Sequence, residues 1–235
     1  MSTTEDCASI LEALLGRADF YDTLAALYFK PLTEEQIQAM AHEDLASFAG
    51  GDLRLSEGLH DMDRALMKRN TGTRQELAVD FTSAFAGTSS WEGRYAVPYE
   101  SVFTSAEGLL FQDAYHEVHA LFGAQGVERA PGYDYPDDHL SFMCGYLAIL
   151  SRRSAAAIEQ GDYAEADKWL SSSASFIDAH ILPWFPDFRD LALHIVKTRF
   201  YRGVLKATAG FFDFDRELID EMRSALSECI EKEGE

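Results

Sequence analysis

The side chains best suited to chemistry in this chain of 235 residues lie in three short runs. Tyr135-Pro136-Asp137-Asp138-His139-Leu140 places two carboxylates and an imidazole at the mouth of a helical pattern, where backbone N–H groups are free and the helix dipole is positive. Pro98-Tyr99-Glu100-Ser101-Val102-Phe103 sets a third carboxylate among aromatic rings. His116-Glu117-Val118-His119 carries two imidazoles three positions apart on one predicted helix. A carboxylate at a helix start can cap the first turn, and Asp138 fits that role. Beside a groove, it is also placed to receive a guanidinium in a bidentate pair. His139, near the same helix start, should stay neutral and hydrogen-bond a peptide backbone. The His116/His119 pair is one residue short of the HExxH zinc pattern. It supports an alternative reading, a helical metal-dependent hydrolase using His116, His119 and His139. No Walker A, GxGxxG or GxSxG run occurs, so those nucleotide and hydrolase signatures are missing.

The elements that must position these groups read as helices. Phe20, Leu24, Leu27 and Tyr28 share one face at 3.6-residue spacing. Thr33-Glu34-Glu35-Gln36 has the form of a capping box and opens a segment to about Ala49, which Gly50-Gly51 can end. Thr73-Arg74-Gln75-Glu76 is a second such box, followed by Leu77 to Phe85. Thr104-Ser105-Ala106-Glu107 is a third, predicted to open a helix through Leu109, Leu110, Val118 and Leu121. Leu140, Met143, Cys144, Leu147 and Leu150 mark the buried face of the next helix. Further helices are expected over Tyr163 to Ile181, Asp187 to Ala207 and Asp215 to Ile230. No β alternation bounded by turn residues is found, so the expected fold class is all-α.

Two gaps stand out. Gly87 to Phe103 is long for a helical unit and carries Trp91, Tyr95, Tyr99 and Phe103; rings of that size are costly to leave in water, so the loop should fold against a groove. Tyr99 and Phe103 could wall an apolar cleft with Glu100 as a second anion, or form only a packed turn. Gly123 to Pro136 reads as a joint between an N-terminal half (about 1–122) and a C-terminal half (about 137–235). His180-Ile181-Leu182-Pro183-Trp184 reads as a helix end, with His180 near the free carbonyls and Pro183 as the stop.

Composition narrows the partners. Apolar residues make up 47%, and 40 acidic against 20 basic residues give a net charge of −20. Such a surface repels nucleic acid and anionic lipid and attracts basic partners, or simply keeps the chain dispersed. Three scattered cysteines, Cys7, Cys144 and Cys229, suggest neither a zinc site nor a disulfide framework. The acidic N-terminus is unlike a secretory signal, and no run approaches the ~20 apolar residues of a bilayer span. A cytoplasmic location and no membrane insertion are expected.

In order and spacing, the Pro98-Tyr99, Asp138-His139 and His180-x-x-Pro183-Trp184 pieces resemble the TorD/DmsD family of cytoplasmic redox-enzyme maturation chaperones. The resemblance runs roughly from Phe20 to Phe212. It implies a non-enzymatic protein without a cofactor of its own. Such a protein binds the twin-arginine signal peptide of a molybdenum-cofactor oxidoreductase and delays export until the client is folded and loaded. It implies roles in peptide binding for Asp138, His139, Pro98 and Tyr99. Glu100, Phe103, Asp137 and Trp91 join that set from their chemistry and neighbourhood, Trp91 without a clear family counterpart. Two departures bear on peptide specificity: Tyr135 and Met143 stand where many relatives carry Glu. The family also exchanges its halves between protomers, so a predominant monomer with a minor swapped dimer is expected. Contact with the client enzyme's folded body, and the client's identity, stay open.

Overall fold

Most of the periodicity is realised as helix. The computed structural model describes residues 3–49, 52–130 and 132–233, with the side chains of 3–6 and 229–233 excepted. Among the described residues there are ten α-helices, one short 3-10 helix and no strand. They are α1 (Thr3–Phe29), α2 (Glu34–His42), α3 (Leu53–Met67), α4 (Thr73–Ala84), α5 (Glu100–Thr104), α6 (Asp113–Ala124), α7 (Leu140–Glu159), α8 (Tyr163–His180), α9 (Phe185–Ile195) and α10 (Arg199–Glu233). None of them is long and apolar enough to cross a membrane.

The capping predictions divide. At Thr33 the box forms: the Gln36 N–H donates to Thr33 Oγ1 at 3.2 Å, and the Thr33 N–H donates to Gln36 Oε1 at 2.9 Å. α2 nonetheless stops at His42, and Leu45–Ala49 is a separate 3-10 turn. The expected stop at Gly50-Gly51 lies outside the described residues, as do Pro131 and the Cys229 side chain. At Thr73 no box forms. Gly72 is the N-cap, and Thr73 Oγ1 instead accepts the Asn70 N–H at 2.8 Å. Thr104 does not open a helix but lies at the end of one, its hydroxyl donating to the Glu100 carbonyl at 3.0 Å. Residues 105–112 are irregular, with Gly108 and Phe111 at positive φ, and α6 begins only at Asp113. The expected helix from Asp187 to Ala207 is broken at 196–198, where the Asp80 carboxylate accepts the Lys197 and Thr198 N–H groups at 2.8 Å each. Asp80 makes the turn that lets α9 end and α10 start.

Packing joins distant parts of the chain. α1 packs on α7, α3 packs along α10, and α8 packs on both α7 and α10. The α3/α10 approach is close because its contact residues are small. A Cβ on Gly58 would sit 2.2 Å from the Ala207 nitrogen, and one on Gly210 would sit 2.3 Å from the Arg54 carbonyl oxygen. α1 is tied to α10 by a fully buried pair: Arg17 donates to Asp215 at 2.6 and 3.0 Å, and the Tyr21 hydroxyl adds a bond of 2.7 Å. Leu140, Met143, Cys144, Leu147 and Leu150 are all fully buried, as expected. One continuous core contains residues from both sides of the Gly123–Pro136 segment.

Candidate functional site

The two central runs are stitched together by backbone. Residues Tyr99 and His139 form an antiparallel bridge, in which the Glu100 N–H donates to the Asp138 carbonyl at 3.1 Å and the Leu140 N–H to the Pro98 carbonyl at 2.8 Å. The helix-end run His180-Ile181-Leu182-Pro183-Trp184 joins through side chains. His180 Nδ1 lies 3.1 Å from Glu100 Oε2, and Trp184 Nε1 donates to the His180 carbonyl at 2.6 Å. Sequence placed these runs at separate loops and helix ends; folding brings all three into one polar cluster. His180 therefore serves as a partner for Glu100 rather than only at a helix end.

Within the cluster each acid already has a partner. Asp138 is fully buried, and its Oδ2 accepts the Ser101 N–H at 2.9 Å. This corrects the expected cap: Asp138 serves the start of α5 across the bridge, not its own helix. The N-cap of α7 is His139, whose Nδ1 accepts the Ser141 N–H at 3.1 Å. Accepting there requires a neutral ring, and burial drives the His139 pKa down to about 3. Neutrality was expected from the helix dipole; burial is the larger cause. Burial also raises the Asp138 and Glu100 carboxyls above their ordinary range, against the opposing pull of Ser101 on the first and His180 on the second. Asp137 is 3% exposed and paired twice, with Arg129 Nε 2.8 Å from Oδ1 and His119 Nδ1 2.6 Å from Oδ2. The carboxylate that meets a guanidinium is thus Asp137, and the guanidinium is the chain's own.

Arg129, the partner of Asp137, lines a mostly apolar groove of about 450 Å³ between α1, α7 and the segment after α6. That size lies within the usual range of ~300–1,000 Å³ for ligand sites. Its walls are second faces of two core helices. On α1, Asp22, Ala25, Ala26 and Phe29 follow i, i+3, i+4, i+7; on α7, Phe142, Gly145, Tyr146 and Ile149 repeat the same spacing. The floor is open because the residues are small: a Cβ on Gly145 would meet nothing within 4 Å. Tyr133 and Tyr135 extend the aromatic wall, Tyr133 stacking on Phe29 at 4.9 Å and Tyr135 on His139 at 5.0 Å.

The expected site residues separate accordingly. Pro98, Tyr99, Glu100, Asp137, Asp138 and His139 share the stitched cluster, with the Tyr99 ring 4.7 Å from His139. Phe103 turns the other way, stacking on Trp184 at 5.7 Å and lining a second cavity with Tyr95, Leu109 and Leu110. Trp91 stacks on His194 of α9 at 4.6 Å. The aromatic loop is only partly folded in: Trp91 and Tyr95 remain 44% and 51% exposed. Sequence reading missed Arg129 and the groove residues Phe29, Phe142, Gly145 and Tyr146. The second stripe on α7 was visible as a 3.6-residue repeat but was masked by the stronger core stripe.

The metal reading gains no support. Among the described residues no group of three His, Cys, Asp or Glu side chains is arranged to hold a metal ion. His119 is engaged with Asp137, His139 caps α7, and His116 lies against the Tyr115 ring at 5.2 Å.

The family model described as "Nitrate reductase delta subunit" matches residues 52–190, more than half of the chain. The chain belongs to this family. Its relatives are the TorD chaperones that the three runs resemble. "Chaperone protein TorD" of Vibrio cholerae is 28% identical over 211 residues, covering 88% of this chain and 93% of the relative. The TorD protein of Vibrio vulnificus is 27% identical over 209 residues, with coverage of 86% and 94%. A solved structure described as a candidate redox enzyme maturation protein of Archaeoglobus fulgidus aligns with a TM-score of 0.46 and 17% identity, over 87% of this chain and 93% of that one. Family membership and these relatives place the chain with the TorD chaperones.

Proposed function

We propose that this TorD-family chaperone works in the cytoplasm, binding the twin-arginine signal peptide of a molybdenum-cofactor oxidoreductase and delaying export until the client is folded and loaded. One observation carries the reading: an open, mostly apolar groove is lined by Arg129, whose guanidinium is held by the buried Asp137 carboxylate. A signal peptide presents the matching pair, adjacent arginines followed by an apolar stretch of ~7–15 residues. On this reading the α1/α7 groove takes the apolar stretch in the helix-in-groove manner, and Asp137 takes an arginine. Glu100, Asp138, His139, Pro98 and Tyr99 hold Asp137 in place through the stitched loops, and the surface of net charge −20 draws the basic peptide in. Trp91 and Phe103 lie on a different surface and are left out of the peptide contact.

Burying ~400 Å² of apolar surface is worth on the order of 10 kcal/mol before ordering costs, against ~0–1 kcal/mol for an exposed ion pair. Isothermal calorimetry with a synthetic Arg-Arg peptide tests the balance. Replacing two leucines of its apolar stretch by serine should cost more affinity than replacing one arginine by glutamine. A peptide that shows no heat of binding at micromolar protein would sink the reading. A costlier arginine change would move the main source of affinity from the groove to Asp137.

A further inference from the structure

Arg129 is placed where a ligand's arginine would go, and its own segment fixes it there imperfectly. Its Nε lies 2.8 Å from Asp137 Oδ1, yet that buried oxygen receives no aligned hydrogen bond. The reason is local. Arg129 Nη1 donates to the carbonyls of Tyr133 and Tyr135, so the guanidinium is oriented by the backbone that follows it rather than by the carboxylate. A free guanidinium could approach Asp137 in the fork geometry that aligns two bonds at once. The side chains that cover Asp137 are themselves near the surface: that of Arg129 is 34% exposed and that of His119 is 62% exposed. The same segment also covers apolar surface. Tyr133 stacks on Phe29, and Tyr135 packs edge-on against Phe29 at 5.5 Å, both rings remaining about two-fifths exposed.

Resting on the peptide-binding reading above, we propose that Arg129, with Tyr133 and Tyr135, is a built-in competitor that occupies the arginine position at Asp137 and covers the Phe29 surface at the edge of the groove, so that a client peptide binds by displacing it. An intramolecular group competes at high effective concentration even when its individual contacts are weak. A short basic peptide, drawn by the acidic surface but lacking an apolar stretch, offers nothing to replace the tyrosine contacts on Phe29. A peptide with both chemistries replaces the guanidinium and the rings together. The segment thereby turns a surface that attracts any cation into one that selects arginine joined to an apolar run.

The test is fluorescence anisotropy with a labelled peptide of two arginines followed by a leucine-rich stretch, applied to the full chain. Arg129→Gln should bind about tenfold more tightly than the unaltered protein, the scale of one charge-assisted contact. Arg129→Gln combined with Asp137→Asn should lose that gain, with thermal unfolding confirming that both variants are folded. Peptide addition should also speed hydrogen exchange of the amides of 127–130 and 132–135 in the unaltered protein. Equal or weaker binding by Arg129→Gln, or slowed exchange in that segment, overturns the inference while leaving peptide binding intact. Failure of both the unaltered protein and Arg129→Gln to bind removes the peptide-binding reading and the inference with it.

Discussion

Asp138→Ala should unfold the chaperone more easily than a surface helix cap would. Asp138 is fully buried, and its Oδ2 is the acceptor for the Ser101 N–H at 2.9 Å. Removing it leaves a buried donor without a partner, which costs about 1–3 kcal/mol, and the vacated space adds a further cavity cost. We expect a loss of about 2–3 kcal/mol, where an exposed N-cap would cost about 1 kcal/mol. Asp138→Asn keeps an acceptor oxygen and should lose less. The two variants also separate by pH. The Asp138 carboxyl is raised above its ordinary range, first by burial and also by the charge of Asp137, against hydrogen bonds from Ser101. A raised folded-state value means that this group's contribution is fully present at low pH and fades as pH rises through that value. On acidification from neutral pH toward the ordinary carboxylate range, the unaltered protein should therefore gain stability relative to Asp138→Asn, which has no proton to take up. Urea unfolding at several pH values measures both effects. A loss in Asp138→Ala below about 0.5 kcal/mol, or a gap to Asp138→Asn that narrows on acidification, would refute the reasoning.

Other outcomes follow from the same geometry. Arg17→Met should cost about 3–5 kcal/mol, because it leaves Asp215 buried and unpaired, whereas Arg17→Met with Asp215→Leu should recover much of that loss in urea unfolding. Gly58→Ala should disrupt the α3/α10 packing by more than the ~1–3 kcal/mol typical of overpacking, since the new Cβ would meet backbone that cannot rotate away, 2.2 Å from the Ala207 nitrogen; a folded variant with unchanged melting temperature would contradict this. We further propose that a minor dimer forms by exchange of halves across 123–136, because the α1/α7 and α3/α10 contacts would be remade intact between two chains. Size-exclusion chromatography after refolding at high concentration should show it, and a strictly monomeric profile would count against it.

Much of the fold was legible because helix periodicity is a local signal. The stripe Leu140-Met143-Cys144-Leu147-Leu150 predicted burial, and all five positions are fully buried. Capping patterns were less reliable, because a Ser/Thr-x-x-Glu/Gln spacing does not say which neighbour the hydroxyl meets. At Thr33 it met its own helix, at Thr73 it turned back to Asn70, and at Thr104 it closed the preceding turn. The break between α9 and α10 was invisible because its cause, Asp80, lies more than a hundred residues away. For the same reason the candidate site could be listed but not assembled. The identities of Glu100, Asp138 and His180 were noticed, yet only the Tyr99/His139 bridge shows that they share one cluster and face inward. Arg129 is not legible in the sequence, because a lone arginine in a Gly- and Pro-bearing gap carries no pattern.

The most direct test of the account is to fill the groove and measure peptide affinity. Gly145 faces open space between α1 and α7, so Gly145→Leu should fit without touching the core and should not lower the melting temperature, since glycine is a poor helix residue. The account predicts that this folded variant loses affinity for the Arg-Arg peptide by at least about tenfold in calorimetry, because the leucine occupies the place of the peptide's apolar stretch. Full affinity in a folded Gly145→Leu would contradict it and place the peptide elsewhere on the chaperone.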